Sequence, residues 1–210
     1  MEHPDSSLII FAKAPVPGYC KTRLARGVGS VRAARIYRML LERTVARACA
    51  SRLAPVQLWC APDTRHPFLR ALARRYPVDL RRQPRGSLGQ KMHSALRTRL
   101  IEAPYALLVG GDCPALTADV MADAFDRLRQ GFDAVFAPAD DGGYVLVGAR
   151  QAPALLFRGM PWGGGRVMDL TRRRMQRLSL RWSELASLPD LDDTRDLRRA
   201  RHAGLLPALR

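Results

Sequence analysis

The chain has 210 residues, 47% hydrophobic and 26% charged, a balance that suits one folded domain and excludes wholesale disorder. No apolar run approaches the roughly 20 residues of a membrane helix, and residues 1–7 lack the basic-then-apolar order of a secretion signal, so a cytoplasmic location is expected. Lys plus Arg number 35 against 19 Asp plus Glu, a net charge of +16, but the arginines are scattered along helical segments, which argues against nucleic acid as the partner.

Residues 8–12, Leu-Ile-Ile-Phe-Ala, form the short continuous apolar run of a strand buried on both faces. Residues 13–30 read as a loop rich in proline and glycine. A helix is expected over 31–51, where Ile36, Met39, Leu40 and Val45 recur at helical spacing. A strand at 56–60, a helix at 67–75, a strand at 78–81 and a helix at 87–101 follow. Residues 105–109 read as a central strand, and a helix over 117–130 has Thr117 as its N-cap. Strands at 132–137 and 144–147 flank the Asp140-Asp141-Gly142-Gly143 turn, and helices are expected at 166–178 and 194–203. Strands alternating with helices imply an α/β sheet, mostly parallel, with one antiparallel element. Residues 1–7 are expected to be loose and residues 8–210 to form a single domain.

The four cysteines, Cys20, Cys49, Cys60 and Cys113, make no C-x-x-C pair, so zinc-knuckle spacing is absent and reduced thiols are expected. Cys113 follows an aspartate in a loop, but no histidine lies nearby in sequence to activate it.

In an open α/β sheet, ligands sit beyond the carboxyl ends of the strands. Three segments fall there. Residues 13–24 carry Lys13, Lys21 and Arg23 around a Pro/Gly-stiffened loop, a grouping that suits phosphates as well as a solvated surface loop. The spacing matches neither the Walker loop nor G-x-G-x-x-G. Gly110-Gly111-Asp112-Cys113-Pro114 puts a carboxylate directly after the central strand, where it can hold Mg²⁺ or Mn²⁺ or cap the next helix. Asp140-Asp141-Gly142-Gly143 fits a hydroxyl-binding role or a tight hairpin turn. A last acidic cluster, Asp190-Leu191-Asp192-Asp193, is either a helix cap or the source of a second metal carboxylate.

The ordered motifs FAKAPVPGYCKTRL, GSLGQKM, GGDCPALT, PADDGGYVLVG, PW and DLDDTRDL together resemble the bacterial "domain of unknown function 2064" family, over residues 8–197. That family is described as glycosyltransferases of the GT-A superfamily, similar in fold to 2-phospholactate guanylyltransferase. The resemblance implies a GT-A, nucleotide-diphospho-sugar transferase-like, three-layer sandwich. It implies nucleotide binding by Lys13, Gly18, Lys21, Arg23, Gly86, Leu88, Gly89 and Gln90. It implies a Mg²⁺ or Mn²⁺ ion on Asp112 and Asp192, and a sugar or acceptor at Asp141, Gly142, Gly143 and Trp162. Asp141 and Lys21 are the expected catalytic residues. The chain departs from the family in three places: Gly111 replaces a threonine or serine, Asp193-Thr194-Arg195 replaces Thr-Pro-Glu, and Gly163-Gly164-Gly165 replaces a more ordered stretch.

The expected function is sugar transfer from a nucleoside-diphosphate sugar to a small acceptor. The first alternative is nucleotidyl transfer from a nucleoside triphosphate to a phosphorylated small molecule. The second is a non-catalytic protein that binds nucleotides or nucleic acid.

Overall fold

A computed structural model describes residues 1–206; the expected domain runs on to 210, and residues 207–210 lie outside the described residues. The strands are β1 (Ser7–Lys13), β2 (Val56–Ala61), β3 (Val78–Arg82), β4 (Ala106–Gly110), β5 (Ala134–Pro138), β6 (Tyr144–Ala149) and β7 (Trp182–Glu184). The helices are α1 (Thr22–Val28), α2 (Ser30–Ser51), α3 (Pro67–Arg75), α4 (Leu88–Leu100), α5 (Ala118–Arg129), α6 (Val167–Arg177) and α7 (Thr194–His202), with a 3₁₀ turn at Ala154–Leu156.

The strands form one sheet in the order β3-β2-β1-β4-β6-β5-β7. β6 runs antiparallel to both of its neighbours, β4 and β5, and the other strand pairs are parallel. This is the expected mixed sheet. Successive side chains of a strand point to opposite faces. Leu8 and Ile10 of β1 therefore join one core with α2, α3 and α5, while Ile9 joins the other with α4 and α6. All three are fully buried, which is why the run is continuously apolar rather than alternating. Helix layers thus cover both faces of the sheet. A third cluster, Leu24, Ile36, Leu40, Leu191 and Leu197, packs α1 and α7 onto the outer side of α2.

Three details differ from expectation. The segment read as a loop contains α1, a seven-residue helix whose single buried residue is Leu24. One apolar anchor is too little to show helical periodicity, and the helix rests on the tertiary cluster instead. β7 has three residues, too few to display alternation. The N-terminus is not loose: His3 donates its backbone N–H to the Leu53 carbonyl at 2.7 Å, and its ring stacks on Phe125 at 4.7 Å. Among the described residues, no helix is long and apolar enough to cross a membrane.

Candidate active site

β2 lies on one side of β1 and β4 on the other, so the carboxyl ends of β1 and β4 open a crevice at the point where the strand order reverses. The loop after β1 bends back over this crevice. The buried Tyr37 hydroxyl of α2 accepts from the Lys13 N–H at 2.8 Å and fixes where that loop leaves the strand. Gln83, just past β3, donates from Nε2 to the Ala12 carbonyl at 3.1 Å and the Trp59 carbonyl at 2.9 Å, tying the ends of β1 and β2 together.

Lys21 enters α1 in the left-handed backbone region, at φ 46° and ψ 48°. For a residue with a Cβ this costs about 1–2 kcal/mol. Its side chain is only 5% exposed and runs inward. The ammonium lies 2.7 Å from Asp112 Oδ2 and 3.0 Å from Asp192 Oδ1. Burial alone would lower its pKa; the two carboxylates outweigh burial and raise it, so Lys21 is held charged. Arg23 Nη1 reaches Asp192 Oδ2 at 3.3 Å.

Asp192 is set in place by the start of α7. The Asp193 carboxylate caps that helix, accepting from the N–H groups of Arg195 and Asp196. Asp196 accepts in return from the N–H groups of Asp192, at 2.9 Å, and Asp193, at 3.0 Å. Of the two roles read from the sequence for this cluster, the helix cap falls to Asp193, while Asp192 faces the crevice.

Two cavities meet here. The larger, about 500 Å³, is lined by Lys13, Lys21, Arg23, Lys91, Gln83 and Tyr37, among others. The smaller, about 300 Å³, is lined by Asp141, Asp190, Tyr144, Trp162 and the Gly163-Gly164 turn. Leu88, Gly110, Asp112 and Asp192 line both. Carboxylate oxygens of Asp141, Asp190 and Asp192 all lie within 4.8 Å of one another. An all-carboxylate donor set is the kind that Mg²⁺ and Mn²⁺ prefer, so these residues fit such an ion. Burial, then the neighbouring charges of Asp141 and Asp192, push the Asp190 carboxyl up to about 6.

The expected sites divide. Lys13, Lys21, Arg23, Leu88, Asp112 and Asp192 line the larger cavity, and Asp141, Gly143 and Trp162 the smaller. Gly18, Gly86, Gly89 and Gln90 line neither. Gly18 is an exposed turn residue at φ +84°. The Gln90 amide is occupied in a capping box, its Oε1 accepting from the Ser87 N–H at 2.8 Å. A Cβ on Gly86 would fall against that amide. Gly89 is buried where a Cβ would overlap the Phe157 carbonyl and crowd the Trp162 ring, so it serves packing. The GSLGQ segment is thus the cap of α4, and it offers the crevice Leu88 and, a turn on, Lys91. Gly142 also lies back from the smaller cavity, against the Gly165 backbone at φ +82°. Cys113 is buried and its thiol is pushed up to about 11, chiefly by that burial, which disfavours the thiolate a nucleophile needs.

Asp190, Gln83 and Tyr37 were not among the expected site residues. Asp190 carried a readable signal: in D-L-D, alternate residues of an extended segment share a side. Gln83 and Tyr37 carried none, because their roles depend on distant backbone groups.

The architecture defines the class: this is the fold of nucleotide-diphospho-sugar transferases and nucleotidyltransferases. Residues 44–164 match the family described as "uncharacterized protein conserved in bacteria (DUF2064)", and the chain belongs to that family. No curated protein matches it. It is similar to a protein of Desulfovibrio desulfuricans G20, described provisionally as a nucleotide-diphospho-sugar transferase, with 28% identity, a TM-score of 0.87, and 96% of this chain and 88% of that one covered. It shares its fold with 4-diphosphocytidyl-2C-methyl-D-erythritol synthase of Anaerococcus prevotii, at 12% identity, a TM-score of 0.63, and 97% and 99% coverage. It also shares it with a nucleotidyl transferase from Methanothermobacter, at 17% identity, a TM-score of 0.61, and 95% and 97% coverage.

Proposed function

We propose that this protein is a metal-dependent glycosyltransferase that moves a sugar from a nucleoside-diphosphate sugar to an uncharged hydroxyl acceptor. The observation that carries this reading is the opposite charge of the two adjoining cavities. The larger one gathers Lys13, Lys21, Arg23 and Lys91, which suit a diphosphate. The smaller one has four aspartates, Asp112, Asp141, Asp190 and Asp192, and among the described residues no Lys, Arg or His lines it. Arg23 reaches only its rim, near Gly163. Four carboxylates carry four negative charges; one divalent ion would supply two positive ones. No surplus positive charge is left for a second phosphate, as a phosphorylated acceptor would need.

In this reading Asp112 and Asp192, which share the Lys21 ammonium, would hold the Mg²⁺ or Mn²⁺, with Asp190 close to Asp192. When bound, the ion neutralises charge on the departing diphosphate. The loop cations hold that diphosphate and stabilise the negative charge it gains. Trp162 offers an apolar ring to the face of the sugar, and Asp141 accepts from its hydroxyls. The acceptor hydroxyl forms a new bond to the anomeric carbon as the bond from that carbon to the diphosphate oxygen breaks. Asp190 takes the hydroxyl proton.

The cluster of cations around the first loop favours a second reading, nucleotidyl transfer from a triphosphate. A thermal-shift panel with Mn²⁺ separates the two, because a ligand that binds only the native state raises the melting temperature. Preferential stabilisation by one nucleoside-diphosphate sugar is the expected result. Preferential stabilisation by a triphosphate would put nucleotidyl transfer first.

A further inference from the structure

The Lys21 ammonium is bonded to both Asp112 and Asp192, the carboxylates that the metal reading assigns to the ion, and is almost wholly buried. A mobile surface lysine would not be found there. The backbone of Lys21 is held in the left-handed region, a conformation that persists only where surrounding contacts impose it. The same side chain lines the cation-rich cavity, so an alternative site for the ammonium lies alongside, among the groups that would meet a diphosphate. The Asp112 and Asp192 side chains are each 38% exposed, which leaves an approach for a metal.

We propose that Lys21 is an exchangeable internal cation: it neutralises Asp112 and Asp192 in the empty site and gives up that place when the divalent ion binds. The proposal rests on the metal reading given above and goes beyond it in assigning the resting occupant of the metal place. One consequence is that the metal alone binds poorly. A ligand that draws the ammonium toward its phosphates removes the competitor, so donor and metal bind cooperatively.

The test uses Mn²⁺ as the probe, with free Mn²⁺ followed by electron paramagnetic resonance. Lys21→Met is expected to bind Mn²⁺ at least tenfold more tightly than wild type in the absence of nucleotide. Removing any positive charge nearby would favour a cation, so the double-mutant cycle with Asp112→Asn is decisive. Exchange predicts that the gain disappears in Lys21→Met/Asp112→Asn; a gain that survives Asp112→Asn overturns it.

Wild type supplies a test independent of variant folding. The chain has three lysines, Lys13, Lys21 and Lys91, so methylation by reductive alkylation can be read at each by mass spectrometry. Lys21 is expected to be protected without metal and to become reactive once Mn²⁺ saturates the site. Continued protection at saturation overturns the exchange while leaving the metal site intact. Failure of every form to bind Mn²⁺ overturns the metal reading, and the exchange with it.

Discussion

At the scale of single residues, charge decides what each aspartate does. Asp112 and Asp192 share a buried ammonium, whereas Asp190 sits among carboxylates and, among the described residues, has no cation in hydrogen-bonding contact. Burial, then the charges of Asp141 and Asp192, push the Asp190 carboxyl up to about 6 from its ordinary value of 3.8. Between those values the native state keeps a proton that the unfolded chain has released. Asp190 therefore favours the fold most below pH ~4, and that contribution declines as pH rises through about 6. Asp190→Asn is expected to raise the melting temperature at pH 7 by ~2–4 °C, taking a solvent-discounted effect of about 1 kcal/mol. It is also expected to abolish transfer. A variant of full activity would remove Asp190 from the mechanism. Asp112→Asn is expected to lose Mn²⁺-stimulated nucleotide binding, and unchanged stimulation would reject the Asp112 assignment. For Lys21→Ala, calorimetry is expected to show nucleotide affinity reduced at least tenfold, since a charge-assisted contact to phosphate contributes about 1.5–3 kcal/mol.

At the scale of elements, the site is held by close backbone contacts. Gly142 has φ +82°, and a Cβ there would overlap the Gly165 carbonyl. Its own carbonyl accepts from the Met168 N–H at 2.9 Å, joining the turn after β5 to the start of α6. That contact places Asp141 and the Gly163-Gly164 turn on the two sides of the smaller cavity. Gly142→Ala combines backbone strain with a clash against main chain, so a loss of about 1–3 kcal/mol in urea unfolding is expected, with a fall in kcat. Stability equal to wild type would mean that the turn shifts freely. Gly89 plays the corresponding part for α4, buried beneath Trp162.

At the scale of the whole molecule, the first residues belong to the fold. Glu2 and His3 pair with the backbone after α2, and the His3 ring covers Phe125, which is fully buried. Deleting residues 1–6 would uncover this ring; a melting temperature lower by several degrees is expected, and an unchanged one would return the segment to the loose state read from its sequence. The arginines behind the net charge of +16 are scattered along the chain, and some are in ion pairs such as Arg127–Asp123 and Arg172–Glu184. Binding to duplex DNA is accordingly expected to be weak at 50 mM salt and lost by about 200 mM. Binding that survives would favour a nucleic-acid partner.

Much of this was legible along the chain because some signals are local. The strand at the start of the chain is continuously apolar because both its faces are buried, and the Ser87 and Thr117 caps follow from side-chain oxygens reaching their own helix. The order of motifs also carried the family and the fold. Other features answer to partners far away in sequence. α1 forms because Leu24 meets Leu191 and Leu197, and β7 because β5 offers it an open edge. GSLGQ has the look of a ligand loop, yet its glutamine closes a capping box and its second glycine makes room for Trp162. The sequence by itself determined the covered α/β sheet and the residue types at its carboxyl ends, since burial periodicity and capping act over a few residues. Only the tertiary structure decided that Lys21 bridges Asp112 and Asp192, 171 residues from the latter, and that Asp190 completes the acidic cavity, because electrostatic partners are chosen by distance in space.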